Sequence, residues 1–307
     1  ANILTRTLMI FGQGAIRCHP YVLSEVDAIE SNDLAAFDKA FWGHISHTLR
    51  NLLHTVIHGF TRGIFVVIPS YPGLRRKMQK LIWASTAFAF FTDIALVTLG
   101  GGLKVKGKLT GRFGDILSWL YLCTCVLRRY MAEGARKEDK CYVDWILAHG
   151  LYQIQLAFEG LLQNMNPIFR PLRFLLKVFS FGAPPSDALS TKVAMSFQEL
   201  NSQREALTKD MFVSSNPEDG IAILENAMKV ISKAAPIEKK LLKAIKDKQL
   251  PKKPLSQLLS LAYEKAIISH TEKDLLSKAE KEREFAVQVD SFSQKDYLNF
   301  SRSKTFK

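Results

Sequence analysis

The chain has 307 residues, a net charge of +13, 47% hydrophobic residues and 23% charged residues. That length can bury a core and admits two domains, and the composition is that of a globular protein, not a disordered one. The positive charge favours anionic partners. Nucleic acid is not expected among them, because no recognised motif is present and the aromatic residues fall on apolar stripes instead of among the lysines.

Leu4, Leu8 and Phe11 recur at helical spacing, so a helix should run until Gly12 and Gly14 loosen it. Gly12-Gln13-Gly14 lacks the preceding strand and the third glycine of a dinucleotide loop. Pro20 suits the first turn of a new helix, Tyr21 to Ser31. Asn32-Asp33 then predicts a cap for a helix from Leu34 to about Thr61. That helix places His44, His47, His54 and His58 within one narrow arc. The two histidine pairs lie too far apart along the axis to close a four-ligand site, so no metal ligand is assigned. A polar or anion-facing stripe that charges at mildly acidic pH is the expectation instead.

Residues 63–73 read as an irregular packed connection because two prolines interrupt a β-branched run. Helical patterning resumes from Arg75 to Thr98, and Gly100-Gly101-Gly102 should end it. Asp93 interrupts that apolar run and is expected to pair with an arginine such as Arg112. The stretch Arg112–Gly134 is expected to organise the fold. Phe113, Ile116, Leu117, Leu120, Thr124, Leu127 and Met131 form its main stripe, while Trp119, Leu122 and Val126 make the opposite face apolar, predicting burial on most sides. Its charge-free run is 12 residues, shorter than the ~20 of a bilayer span. In the next helix, Tyr142 to Gln163, His149 and Glu159 stand about 15 Å apart along the axis and are no acid–base pair.

Arg170, Arg173 and Lys177 recur at i+3 and i+4, with Phe169, Leu172, Leu175, Leu176 and Phe179 covering the remaining surface. Two readings stand. The segment lies in a membrane interface with these three cations as its lipid-facing residues, or it docks on its own bundle with a solvated basic stripe. Residues 182–187 are the clearest linker. Helix starts are expected at Asn216-Pro217-Glu218-Asp219, at Pro236-Ile237-Glu238, at Pro254-Leu255-Ser256 and at His270, followed by a basic, weakly ordered tail. Cys18, Cys123, Cys125 and Cys141 show no CxxC spacing and read as free, buried thiols of a reducing compartment. The whole is an all-α protein, a helical bundle without a recognisable catalytic motif.

The segments NILTRTLMIFGQGAIRCHPYVL, FDKAFWGHI, FTDIALVTLGGGLK, GRFGDILSWLYLCTCVLRRYMAEG and LLQNMNP together resemble the C-terminal part of large bacterial fatty-acid-degrading acyl-CoA dehydrogenases. The resemblance runs over nearly the whole chain. It implies the end of a dehydrogenase helical domain (1–31), a second helical bundle (32–182) and a C-terminal helical extension with a basic tail (183–307). It also implies a complete protein that binds FAD and oxidises fatty acyl-CoA to the trans-2-enoyl-CoA, passes electrons to an electron-transferring acceptor, and forms a homodimer. In that family the base belongs to a Glu-Gly pair that precedes the segment reading ANILTR here, so no catalytic residue is assigned and the chain reads as a fragment. Of the residues that follow the pair and touch the flavin nucleotide, Asn2 alone keeps a polar side chain. The resemblance further implies an exposed edge for the catalytic half. It suggests a cytoplasmic location, peripheral on the inner membrane, with an anionic membrane surface as partner. The competing reading is a non-catalytic helical module that binds a membrane or a partner protein.

Overall fold

The computed structural model describes residues 13–68, 73–289, 291–295 and 297–298. Asn2 lies outside the described residues. Among those described there is no strand, and helices account for most of the chain, as an all-α bundle requires. The chain separates into two compact units, Ala1–Val193 and Ala194–Lys307.

The first unit opens with α1 (Gly14–Cys18), α2 (Val22–Glu30) and α3 (Leu34–Thr61). Asp33 caps α3 by accepting from the Ala36 amide at 3.0 Å, the contact expected of an acidic N-cap. Then come α4 (Arg75–Leu99), a 3-10 turn (Gly100–Val105), α5 (Gly107–Ala132) and α6 (Lys140–Asn164). A 3-10 turn (Pro167–Phe169) leads into α7 (Arg170–Val178), and α8 (Asp187–Phe197) follows an open linker. One core joins α4, α5 and α6 through Trp83, Phe91, Phe113, Ile116, Leu147 and Phe158.

Residues Arg75–Val105 are long and apolar enough to cross a membrane by length and composition. Half of their most apolar stretch is buried inside the unit, however, and Asp93 sits in it at 2% exposure. Those are the properties of a core helix.

The stretch expected to be buried on most sides is not. Helix α5 buries Phe113, Ile116, Leu120, Cys123 and Leu127, but Tyr121, Leu122, Thr124 and Cys125 are exposed. Its neighbours α4 and α6 lie on one side of it, and α6 carries the longer buried face, from Cys141 to Leu162. Helices α5 and α6 approach closely at Gly150, where an added Cβ would lie 2.3 Å from Cys123 Sγ. Only a residue without a side chain fits that crossing. The cysteines divide in the same way. All four are free, Cys123 and Cys141 are buried as expected, and Cys18 and Cys125 are exposed.

The linker begins anchored. Gln155 accepts from the Phe181 amide at 3.0 Å, and Phe181 is fully buried.

In the second unit, α9 (Ser202–Thr208) precedes α10 (Gly220–Lys246), α11 (Leu255–Glu264) and α12 (His270–Val287). Their core is built on Ala234, Leu241, Leu258, Leu259 and Leu276. Pro236 does not start a helix, because α10 runs through it without a break. Burial of Ala234 on one side of it and Leu241 on the other outweighs the backbone hydrogen bond that proline forfeits. Helix α12 starts at a reciprocal capping box, Ser269 with Glu272, the arrangement that satisfies two orphan amides at once.

Candidate functional site

Helix α3 is folded with its polar side inward. Counting 100° per residue, His44, His47, Thr48, Asn51, Thr55 and His58 share one side, and all of them are buried or half-buried. The opposite side is apolar and exposed: Trp42 at 64%, Leu49 at 60%, Leu53 at 58% and Phe60 at 67%, continuing Phe41 and Ile45. Ala40 and Asn51 are the only fully buried residues of this 28-residue helix. Soluble surface helices show the reverse arrangement. A contiguous apolar face of this length marks an interaction site.

The inward side meets α2 and α4 in a cluster around Asp93. Asp93 Oδ2 accepts from the Thr48 hydroxyl at 2.8 Å, and Oδ1 lies 3.3 Å from His19 Nε2. His19 Nδ1 accepts from the backbone amides of Tyr21 and Val22, both at 3.2 Å, so the imidazole caps the start of α2. His44 Nδ1 contacts Glu25 Oε1 at 2.8 Å, and the His19 and His44 rings are 4.4 Å apart. Asp93 therefore pairs with His19 and Thr48, not with Arg112. Arg112 instead donates to the Lys108 carbonyl at 3.4 Å.

Two amides on Nδ1 fix the chemistry of His19. A protonated Nδ1 would point its hydrogen at two other donors, so the ring is neutral with its proton on Nε2, facing Asp93. Although Asp93 Oδ1 is 3.3 Å from Nε2, Nε2 is not aligned on it as a hydrogen bond; the contact is electrostatic. Burial lowers the His19 pKa first, His44 and His47 lower it further, and Asp93 opposes them. Burial also lowers His47 and His58.

His19, His44 and Asp93 bring three ligand atoms within 4.8 Å of one another. Spacing alone would admit an ion. A metal on His19 Nε2, though, would drive the proton to Nδ1, against the two amides. Nucleophilic catalysis fares no better. The hydroxyl of Thr48 bonds the carboxylate, whereas activation needs the order hydroxyl, imidazole, carboxylate. The cluster is a structural polar network that fastens α2 and α3 to α4.

The other histidines stay in two groups. The rings of His54 and His58 lie 5.6 Å apart and tilted by 34°, away from His19, His44 and His47. His149 stacks on Trp145 at 5.0 Å, while Glu159 accepts from Gln155 at 2.8 Å.

Helix α7 turns Leu172 and Leu176 onto the core of the first unit, together with the flanking Phe169 and Phe179. Arg173 donates to Gln163 at 2.9 Å. Arg170, Phe174 and Val178 are exposed, as is Ile168 just before the helix. The backbone of Lys177 belongs to the helix, and its side chain lies outside the described residues.

Two cavities were tested for the flavin that the resemblance implies. One, of about 660 Å3, borders His19, His47 and Asp93 and is otherwise walled mainly by apolar residues of α4 and α5. A diphosphate there would face a buried carboxylate and no lysine or arginine. The other, of about 230 Å3, is lined almost wholly by apolar side chains. It offers a diphosphate no donors and is small for a ring system with a nucleotide attached. Neither cavity fits FAD.

His19 and the outward face of α3 carry no sequence motif. His19 was legible only as a residue just before Pro20 at a helix start, and the face only as an apolar stripe sharing a helix with four conspicuous histidines.

No solved structure matches the chain. Residues 16–292 match the family described as acyl-CoA dehydrogenase, C-terminal, bacterial type. That match spans both units and most of the described residues, and it agrees with the all-helical fold. The chain belongs to the bacterial-type acyl-CoA dehydrogenase C-terminal family.

Proposed function

We propose that this chain is the C-terminal portion of an FAD-dependent dehydrogenase that oxidises fatty acyl-CoA to trans-2-enoyl-CoA, and that the outward face of α3 seats the catalytic half. The observation that carries the reading is the inversion of α3. Trp42, Leu49 and Leu53 face outward while six polar side chains face in. Burying such a face stabilises by about 25 cal/mol per Å² of apolar surface removed from water. The occupant is the catalytic half because the family to which the chain belongs is itself defined as the C-terminal part of an acyl-CoA dehydrogenase. The base, the flavin and the acyl-CoA cleft then belong to that half. The contribution of this chain is packing, and in the segment that touches the nucleotide in the family pattern Asn2 alone keeps a polar side chain for that contact.

A flavin held by the catalytic half would supply hydride acceptance there. The described residues take no part in that step. The exposed side of α7, with Arg170, Phe174 and Val178, is read together with Arg173 and Lys177 as a contact with anionic membrane. The protein is then cytoplasmic and peripheral on the inner membrane. Docking of Leu172 and Leu176 on the core leaves this contact shallow, so attachment should rest mainly on charge.

The test joins the chain to its dehydrogenase half and measures flavin absorbance and oxidation of long-chain acyl-CoA. A yellow, active protein that loses both on Leu49→Asp with Leu53→Asp supports the reading. A colourless, inactive protein leaves the non-catalytic helical module. For the membrane contact, the triple change Arg170→Glu, Arg173→Glu and Lys177→Glu should abolish sedimentation with anionic vesicles, and unchanged sedimentation would remove it.

A further inference from the structure

Cations stand beside one wall of the smaller cavity. Its volume is about 230 Å3, and its walls come from α3, α4, α6, α7 and the segment through Phe181, with Thr55 the only hydroxyl. At roughly 30 Å3 for each water-sized group, it has room for about seven or eight methylenes. Phe179, one of its lining residues, carries the Arg62 guanidinium 5.6 Å above its ring. Arg76 donates to the Arg62 carbonyl at 2.5 Å. Arg76 and Lys80 share one side of α4 with Trp83, Ala87, Phe90 and Phe91, which line the cavity. This side of α4 therefore changes along its axis from two cations to an apolar wall.

These cations are not there for a carboxylate of the chain. Among the described residues Arg62, Arg76 and Lys80 make no ion pair, whereas the neighbouring Lys77 is matched to Asp144 at 2.6 Å. Lys80 and Arg76 are held below their usual pKa values by burial first, and then by Arg62 and, for Lys80, Arg76. No acidic group offsets that cost. Arg62 also occupies a left-handed backbone position, φ 52°. Glycine or asparagine would hold it with less strain.

We propose that the apolar cavity and the Arg62, Arg76 and Lys80 cluster form one binding site for a non-esterified fatty acid, its tail between α3, α4 and α7 and its carboxylate at the three cations. The exposed Arg62 and the half-buried Arg76 and Lys80, none of them matched to a carboxylate, gain an anion, and the apolar wall gains an alkyl chain. Gly59 lies about a third of a turn around α3 from Leu53; Phe60 borders both the site and the outward face, whereas Leu49 and Leu53 do not line the cavity.

Gly59 supplies the decisive variant. It lines the cavity inside α3, and a Cβ added there meets nothing within 4 Å. Gly59→Leu should therefore fill the cavity while raising helix propensity. Calorimetric titration of the full chain with butanoate, hexanoate, octanoate and dodecanoate below their micelle concentrations should show one site. Affinity should rise about fourfold per methylene until the cavity is full. Gly59→Leu should weaken dodecanoate at least tenfold without loss of helical content. The pair Arg62→Gln and Lys80→Gln should weaken dodecanoate about tenfold and leave neutral dodecanol unchanged.

Absence of binding, affinity independent of chain length, or undiminished binding by Gly59→Leu would overturn the site. Equal weakening of dodecanoate and dodecanol by the cation changes would overturn the carboxylate assignment. Binding only to phosphatidylglycerol vesicles, with none to monomeric dodecanoate, would replace the fatty acid with a membrane surface.

Discussion

Replacing Asp93 by alanine probes the network that holds α3 with its polar side inward. Asp93 is 2% exposed and receives the Thr48 hydroxyl at 2.8 Å, with His19 Nε2 at 3.3 Å. Alanine strands the half-buried Thr48 hydroxyl and removes the carboxylate whose charge faces the His19 N–H. The orphaned hydroxyl costs about 1–3 kcal/mol and the lost electrostatic contact adds to it, but loss of the buried charge returns part of its desolvation penalty. The expected net loss is about 1–3 kcal/mol, a large share of the ~5–15 kcal/mol typical of a domain. Asp93→Asn keeps an acceptor for the Thr48 hydroxyl, so it should cost about half as much. Urea unfolding followed by far-ultraviolet circular dichroism measures both. A cycle with Thr48→Val separates the pair, because the double variant no longer strands the hydroxyl and should cost less than the sum of the single changes. Loss below about 0.5 kcal/mol for Asp93→Ala, or strict additivity in the cycle, would refute the network.

The crossing of α5 and α6 should be intolerant of a single methyl group. Gly150→Ala sets Cβ 2.3 Å from Cys123 Sγ, costing about 1–3 kcal/mol, and Cys123→Ala should restore most of that loss in a thermal melt. Acid should weaken the first unit in a particular direction. His19, His47 and His58 all have lowered pKa values in the fold, so the unfolded chain binds more protons as pH falls below about 6.5. Their stabilising contribution is complete above that value and is lost as pH falls through the folded values, by at most about 1.4 kcal/mol per pH unit for each histidine. His19→Asn, which can still cap α2, should flatten that dependence between pH 7 and 5; stability that is flat or rising on acidification in the parent chain would contradict it. Thiol labelling should divide the cysteines. Cys18 and Cys125 should react in the folded chain, whereas Cys141 is buried and Cys123 is buried with its pKa pushed up to about 12, so both should react only on unfolding.

Periodicity made most of the helices legible, and local chemistry placed their starts at Asp33, Asp219, Pro254 and His270. It failed where tertiary packing overrides local preference. Pro236 looked like a helix start because proline suits a first turn, but the buried neighbours Ala234 and Leu241 carry the helix through it. The stretch around Trp119 looked apolar on every side, yet Leu122 and Cys125 face out, since composition does not say where neighbouring helices lie. Asp93 was recognisable as a buried carboxylate that needed partners. Its actual partners, His19 just before α2 and Thr48 on α3, come from other segments at separations no local pattern encodes. The inversion of α3 was hidden for a different reason. An amphipathic helix shows two faces in sequence, and only the fold shows which one is turned inward. The cavity beside α7 needed five segments to be brought together.

The central claim is that the outward face of α3 is covered by the catalytic half of an acyl-CoA dehydrogenase. The most direct test places a cysteine at Leu49 and follows its maleimide labelling, peptide by peptide, in the 307-residue chain and in the same chain joined to its dehydrogenase half. Leu49 is 60% exposed, so the account predicts rapid labelling in the chain alone and protection of at least about tenfold in the joined protein, where the face is removed from water. Equal labelling in the two proteins, with the joined one folded and flavin-bound, would contradict it.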